Sequence, residues 1–380
     1  MELINELKVF RHKAYIWKFC HRKIQNNKIV MWANSFKHFG DSPKYIALHL
    51  LNHYPGKFDI VWVIAQDYDI PKDIPKQIRV VRYFSIEYLQ ELHTAKFIVC
   101  NMRTGDSYFW NKRPEQIYIQ TWHSSLRLKK IEGDAAAALG EDYVAAAKKD
   151  SERIDLLISG CEFSTEIFKR SFWYTGKILK SGTPRCDILI NDSECVRQKV
   201  FDYYKISSHK KLLLYAPTFR DDKKADLFGM DFVKLSNALK KTGDDWEIAY
   251  RFHPNIMESV DINGCISMSK YSDMQELICA ADILITDYSS CMFDMAMAKK
   301  FCVLYTPDLE EYKSKERGLY FDIQQLPFPL AQNMEELCYK VINYDMNLYN
   351  KKINKFLRYT GSYEDGHASE RIAKYITGKM

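Results

Sequence analysis

The sequence predicts an α/β protein built as two doubly wound, Rossmann-like domains with a central cleft. Short β-branched apolar runs alternate with amphipathic stretches almost from end to end, the pattern of parallel strands joined by helical crossovers. That series restarts after the polar Lys205 to Lys211 stretch, so there are two sheets rather than one. Polar residues follow the strands with regularity, and open parallel sheets bind ligands at the carboxyl ends of their strands. A chain of 380 residues with 47% apolar content fills two such cores and excludes disorder throughout.

The first 27 residues stand apart. Leu3, Ile4, Leu7, Phe10, Ile16, Trp17 and Phe19 interleave with Lys8, Arg11, Lys13, Lys18, Arg22 and Lys23. The pattern fits a basic amphipathic helix on an anionic membrane surface, and equally a helix docked on the first domain with a solvated basic face. Residues 28–204 form the first domain, with strands at Ile29 to Trp32, Ile60 to Ile64, Arg79 to Val81, Phe97 to Cys100, Ile117 to Ile119, Leu156 to Ile158 and Ile178 to Leu179. Residues 205–380 form the second, with strands at Leu212 to Tyr215, Ile248 to Tyr250, Ile283 to Ile285 and Cys302 to Tyr305. Helical spacing is clearest over Lys44 to His53, Phe163 to Ser171, Asp231 to Lys241 and Met274 to Ala281. The alanine-rich 133–149 stretch favours helix but offers little side-chain surface to anchor it, so it reads as a mobile helical loop. The polar stretch after Tyr339 reads as helical.

A net charge of +6 is mild for a nucleic-acid binder, and no nucleic-acid partner is expected; it suits an anionic substrate or a membrane face. No apolar run approaches the roughly 18 residues that cross a bilayer, and the opening residues lack the pattern of a secretory signal. None of the ten cysteines forms a Cys-x-x-Cys pair, and several fall in apolar runs, so reduced cytosolic thiols are expected and a structural zinc site is not. Walker A, Gly-x-Gly-x-x-Gly, His-Glu-x-x-His and Gly-x-Ser-x-Gly signatures are all missing, which removes P-loop, dehydrogenase, zinc-hydrolase and serine-hydrolase readings.

Five strand-end loops collect the chemistry. Thr286-Asp287-Tyr288-Ser289-Ser290 has the clearest mechanism: a strand ends and a helix begins, so hydroxyls and free N–H groups can hold a phosphate. A plain N-cap accounts for only one of its serines, and Asp294 one turn later either orients a neighbour or faces solvent. In Gln120-Thr121-Trp122-His123-Ser124-Ser125, His123 is a candidate general base because imidazole titrates near neutrality. Arg251-Phe252-His253-Pro254 presents a cation and an imidazole at a strand end. Arg185, within Gly182-Thr183-Pro184-Arg185, and Arg220, within Ala216-Pro217-Thr218-Phe219-Arg220, are forked donors matched to phosphate or carboxylate. Structural histidines, solvated basic faces and surface ion pairs are the plainer readings. Arg127, Lys129 and Lys130 add positive charge after His123.

At these residues the sequence resembles the CDP-glycerol glycerophosphotransferase family, the teichoic acid primases and polymerases of bacterial cell walls. The loops above match it, as do the extended Gly182 to Asp187 and Ala281 to Ser290 segments. So do Arg317-Gly318-Leu319-Tyr320-Phe321-Asp322 and Asp365-Gly366-His367-Ala368-Ser369-Glu370-Arg371-Ile372, all in the family's order. The resemblance implies a glycosyltransferase-B-like pair of domains, the first acceptor-side and the second CDP-polyol-binding. It implies transfer of a polyol phosphate, glycerol phosphate or ribitol phosphate, from a CDP-polyol to a hydroxyl of a lipid-linked or polymeric acceptor in teichoic acid or capsule synthesis, with release of CMP. By that analogy His123 and His253 are catalytic. Trp122, Ser124, Ser125, Arg185, Thr218, Arg220, Arg251, Thr286, Asp287, Ser289, Ser290 and Asp294 bind substrate. No tightly bound cofactor or protein-held metal is implied, with Mg2+ left open. The expected location is cytoplasmic, peripheral on the inner face of the bacterial membrane, and oligomeric state is undetermined. The family usually has glycine after its Trp-His pair where Ser124 stands here, which bears on access to His123. A nucleotide-sugar glycosyltransferase on the same fold and a non-catalytic surface-binding protein are the competing readings.

Overall fold

A computed structural model describes residues 12–104, 110–191, 193–218, 229–252, 262–315 and 318–380. A helix at 12–20 (α1) precedes the first sheet. Seven strands then form one parallel sheet: β1 (Gln25–Trp32), β2 (Asp59–Ile64), β3 (Arg79–Arg82), β4 (Ala95–Cys100), β5 (Ile117–Gln120), β6 (Leu156–Ser159) and β7 (Lys177–Lys180). Their order is β3-β2-β1-β4-β5-β6-β7, so chain direction across the sheet reverses between β1 and β4. Six further strands form a second parallel sheet: β8 (Lys211–Tyr215), β9 (Trp246–Tyr250), β10 (Ile266–Ser267), β11 (Ile283–Thr286), β12 (Phe301–Tyr305) and β13 (Leu330–Ala331). The order is β10-β9-β8-β11-β12-β13, with the reversal between β8 and β11. Both are doubly wound sheets of the kind the alternating pattern predicts. The eleven expected strands all form; β10 and β13 have two residues each, too few to show a pattern in sequence.

Helices fill the crossovers: α2 (Asp41–His53), α3 (Ile86–Thr94), α4 (Glu141–Ser151), α5 (Glu162–Ser171), α6 (Pro184–Asn191) and α7 (Ser193–Tyr204) lead up to β8. Then come α8 (Phe232–Leu239), α9 (Met274–Ala280), α10 (Cys291–Met297), α11 (Leu309–Lys315), α12 (Met334–Ile342), α13 (Met346–Tyr359) and α14 (Ala368–Thr377). Several starts are set by side chains that the sequence displays: Ser85, Asp231, Asp273, Asn333 and Asp345 each accept a hydrogen bond from a first-turn N–H. Strands such as β11 and β12 are buried along their whole length, as parallel strands covered on both faces must be.

The contacts divide the chain differently from a break at residue 205. The first unit comprises residues up to Ser125, with 131–187 and 363–380; the second comprises 126–130 and 188–362. Two causes are visible. Helix α7 is tied into the second unit, where Arg197 donates to the Ala280 carbonyl (2.5 Å) and to Asp282 (2.9 Å) while Lys199 pairs with Glu276 (2.7 Å). The last helix, α14, buries Ile372, Ala373 and Ile376 in the first unit's core with Ile46, Leu50, Trp62 and Phe97.

The alanine-rich stretch is also better held than its composition suggests. A 3-10 segment (Glu132–Ala138) and α4 span it, with Ala135 and Ala147 buried and both ends tied down. The buried Arg103 guanidinium pairs with Glu132 (2.9 Å) and Asp150 (3.2 Å), donates to Ser151 Oγ (2.8 Å), and lies 3.9 Å over the Phe172 ring. All ten cysteines are free thiols, six of them buried.

Candidate active site

In the first unit the His123 loop leaves the carboxyl end of β5. Gln120 Nε2 donates to the Met102 carbonyl (2.9 Å), and its Oε1 accepts from the Trp122 N–H (2.9 Å), curling the chain back on itself. Trp122 completes the turn at a left-handed φ of 53°. Its buried indole stacks against the His123 ring (centroids 4.3 Å) and meets Phe172 edge-on. From Tyr118 to Leu128 every residue is buried except His123, which is exposed. Its Nδ1 lies 3.1 Å from the Asn101 carbonyl oxygen. A carbonyl only accepts, so Nδ1 carries the hydrogen and the lone pair belongs to Nε2, the form a general base requires. Asn101 is fixed in turn. Its Nδ2 donates to Asn34 Oδ1 (2.9 Å), and its Oδ1 accepts from the Asn34 N–H (3.0 Å), where β1 and β4 end and the strand order reverses.

Ser124 and Ser125, expected to touch substrate, are buried. Ser125 belongs to an internal cluster around Glu364. The Glu364 carboxylate accepts from the Thr183 N–H (3.0 Å) and hydroxyl (2.7 Å). A methyl group at Gly160 would fall 2.2 Å from Ser125 Oγ and 2.4 Å from Glu364 Oε1, so only glycine lets these groups converge. Burial pushes the Glu364 carboxyl up to about 7, against hydrogen bonds from Thr183 and Ser125 that favour its charge. Asp187 accepts from the Ala368 (2.9 Å) and Ser369 (2.7 Å) N–H groups and so caps α14. Two motifs noted in the sequence, Gly182 to Asp187 and Asp365 to Ile372, therefore clasp each other. Arg185 is a correction of the same kind. It is 7% exposed, and its Nη1 donates to Asp41 Oδ2 (2.7 Å) and to the His123 carbonyl (2.6 Å), so that nitrogen faces inward.

In the second unit the reversal between β8 and β11 brings two of the expected loops together. Asp287 accepts from the Thr218 N–H (2.9 Å) and hydroxyl (2.6 Å), and Thr286 Oγ1 donates to the Ala216 carbonyl (2.6 Å). Thr286 and Asp287 are buried, so they tie the loops to each other. Ser289 and Ser290 are partly exposed at the start of α10. Ser289 Oγ is 3.4 Å from the Cys291 N–H, and Ser290, the residue at the cap position, makes no side-chain cap. A plain N-cap thus leaves the Ser290 hydroxyl unexplained. Asp294 is buried and accepts from Gln275 Nε2 (3.2 Å), orienting a neighbour on α9 and not facing solvent. Arg251 is partly exposed at the end of β9. Burial of its guanidinium pulls its pKa below the ordinary arginine value, while Asp273 opposes that shift. His253 and Arg220 lie outside the described residues.

The residues that follow the His123 loop belong to the second unit, where they form a strap. The Lys130 N–H donates to the Gly318 carbonyl (3.0 Å), and the Tyr320 N–H donates to the Leu128 carbonyl (2.7 Å). Arg127 is buried there, while Lys129 is partly exposed and lies over the Tyr312 ring (5.2 Å). Sequence reasoning missed Asn101, Asp41, Glu364 and this strap. Only Glu364 carried a local signal, since it adjoins the Asp365 to Ile372 motif. Among the described residues no three His, Cys, Asp or Glu side chains converge to hold a metal ion.

The family model for CDP-glycerol:poly(glycerophosphate) glycerophosphotransferase matches residues 14–378. The teichoic acid glycerol-phosphate transferase of Staphylococcus aureus is 32% identical, over 97% of this chain and 98% of its own length. The teichoic acid poly(glycerol phosphate) polymerase of Staphylococcus epidermidis is 33% identical over 93% of this chain, which spans about half (51%) of that longer protein. Relatives named for glycerol phosphate are 29–33% identical, and those named for ribitol phosphate 24–28%. The solved structure of the wall teichoic acid polymerase TagF superposes with a TM-score of 0.86 at 30% identity, covering 99% of this chain and 95% of that one. Matching sheets, strand-end loops and nearly full-length likeness converge: the chain belongs to the CDP-glycerol:poly(glycerophosphate) glycerophosphotransferase family, a family of transferase enzymes.

Proposed function

We propose that this chain transfers glycerol phosphate from CDP-glycerol to a hydroxyl of a teichoic acid acceptor, lipid-linked or polymeric, and releases CMP. The observation that carries this reading is the exposure of His123 alone within an otherwise buried loop, with its Nδ1 hydrogen committed to Asn101. The acceptor oxygen attacks the β-phosphorus, the bond from that phosphorus to the CMP oxygen breaks, and the acceptor proton passes to His123 Nε2. Such a displacement asks the protein for positioning and charge stabilisation more than for covalent chemistry. Ser289 and Ser290 hold the pyrophosphate in this reading, supported by their partial exposure at the start of α10, and Arg251 is assigned with them from its place at the end of β9. His253 and Arg220 are assigned to the same group on the family likeness. Thr218, Thr286, Asp287 and Asp294 shape that loop from behind. Any Mg2+ rides on the donor phosphates with few protein ligands, the usual habit of that ion.

Glycerol phosphate is preferred as the donor group because the relatives named for it are the more similar ones. Among the described residues no helix is long and apolar enough to cross a membrane. Peripheral attachment through the N-terminal segment is supported by α1. It buries Phe19 but leaves Trp17 70% exposed beside exposed Lys13 and Lys18. A panel of CDP-glycerol, CDP-ribitol and UDP-sugars, read as CMP or UDP release with product length on a defined acceptor, tests the reaction; UDP release alone overturns it. Deleting residues 1–24, which end before β1, should lower binding to anionic liposomes while turnover on a soluble acceptor persists. Unchanged liposome binding would leave α1 as a docked helix.

A further inference from the structure

We propose that Arg185, anchored by Asp41, is a positioning residue for His123. This deepens the reading of His123 as the base and rests on it. The Arg185 fork donates from one nitrogen to two acceptors: the Asp41 carboxylate at 2.7 Å and the His123 main-chain carbonyl at 2.6 Å. Both Arg185 and Asp41 are less than a tenth exposed, so this is a buried, charge-assisted contact and not a surface pair. Asp41 is held as well. It opens α2 at a left-handed φ of 58°, and its second oxygen accepts from the Ser42 N–H (2.6 Å). The approach of Arg185 is fixed from its own side. Gly182 turns the chain at φ 79°, Thr183 is gripped by Glu364, and Pro184 starts α6 with its φ already restricted.

The consequence lies at the imidazole. The His123 side chain has Asn101 as an acceptor at Nδ1, while its main chain has Arg185 as a donor at the carbonyl. Two contacts on opposite ends of one exposed residue set both the position of the ring and its tautomer. Without the guanidinium the carbonyl loses its charged donor, the turn keeps the Gln120–Trp122 bond but loses its hold on the His123 main chain, and Nδ1 can slip off the Asn101 oxygen. Arg185 is 7% exposed and spends its Nη1 on Asp41 and the His123 carbonyl.

The test uses the full chain with CDP-glycerol and a defined acceptor, together with 15N NMR of His123. In Arg185→Lys, kcat should fall about 10- to 100-fold, the scale of a misplaced reacting group. The KM for CDP-glycerol should stay within about 2-fold, because ground-state donor binding is untouched. The His123 resonances should change from one tautomer to a mixture. Asp41→Asn keeps the guanidinium but weakens its anchor, so a smaller fall of about 3- to 10-fold is expected with the same spectral direction. If the Lys variant does not fold, Asp41→Asn gives both readouts. Wild-type kcat with an unaltered imidazole spectrum overturns the proposal, and so does a raised donor KM at unchanged kcat. The base reading fails separately: turnover surviving in His123→Ala removes that role, while an imidazole shift in Arg185→Lys would still show positioning.

Discussion

The two units place their strand-end chemistry in different ways. In the first unit one side chain, His123, emerges from a loop that is otherwise packed, and the groups fixing it come from other segments: Asp41, Asn101 and Arg185. In the second unit the loops hold one another across the β8/β11 reversal, through Thr218 with Asp287 and Ala216 with Thr286, and they present hydroxyls and N–H groups. A base must sit within hydrogen-bond reach of one proton, so small displacements are costly. A phosphate has several equivalent oxygens and tolerates a set of short donors on a loop. A buried ion pair stands behind the loop in the first unit, whereas in the second two loops bond directly to each other.

The sharpest way to break the contrast is His123→Ala, which should lower kcat by about 10³-fold, within the usual range for a general base, with donor affinity unchanged. Quench-flow of CMP release with separate donor titration checks it. A fall in donor affinity instead would move His123 to the phosphate side. Next is Arg103→Met, which strands the buried Glu132 and Asp150 carboxylates. Chemical denaturation should show a loss of about 3–5 kcal/mol, and an unchanged midpoint would mean the 132–151 segment is held by something else.

Glu364 offers a pH test. Its native carboxyl titrates near 7, above the ordinary 4.5, so the folded state keeps a proton that the unfolded chain releases. That stability is present below about pH 4.5 and is lost as pH rises towards 7, amounting to about 3 kcal/mol. Glu364→Gln should flatten this part of the stability profile; a slope persisting in the variant would assign it to another group. The smallest expected effect is Asp287→Asn. Loosening Thr218 should raise the CDP-glycerol KM about 10-fold, roughly one hydrogen bond to a charged group, with little change in kcat. A matching loss of kcat would erase the distinction between the two units.

Much of the fold was legible because parallel strands bury both faces and therefore appear as continuous apolar runs. Ile29 to Trp32 and Ile283 to Ile285 are examples. The exposure of His123 was not legible, since nothing local marks it as the one outward residue between Trp122 and Ser124. Arg185 reads as a forked donor for phosphate or carboxylate because an arginine beside Gly-Thr-Pro looks the same in sequence whether it faces solvent or a buried aspartate 144 positions away. The alanine-rich stretch misled for a related reason. Its composition speaks only of helix propensity, while Glu132 and Asp150, near its ends, find Arg103 in another crossover.

The alternating apolar runs and the strand-end motifs, taken alone, determined two parallel sheets and the family. These rest on local pattern: apolar runs, helix starts and short polar loops that carry their meaning within a few residues. The tertiary structure alone decided which charges face inward, that α14 closes the first unit's core and that α7 belongs to the second. Those outcomes depend on pairings between separate segments, from 29 residues apart for Arg103 with Glu132 to 144 for Arg185 with Asp41, and burial then fixes them because an unpaired charge cannot stay inside.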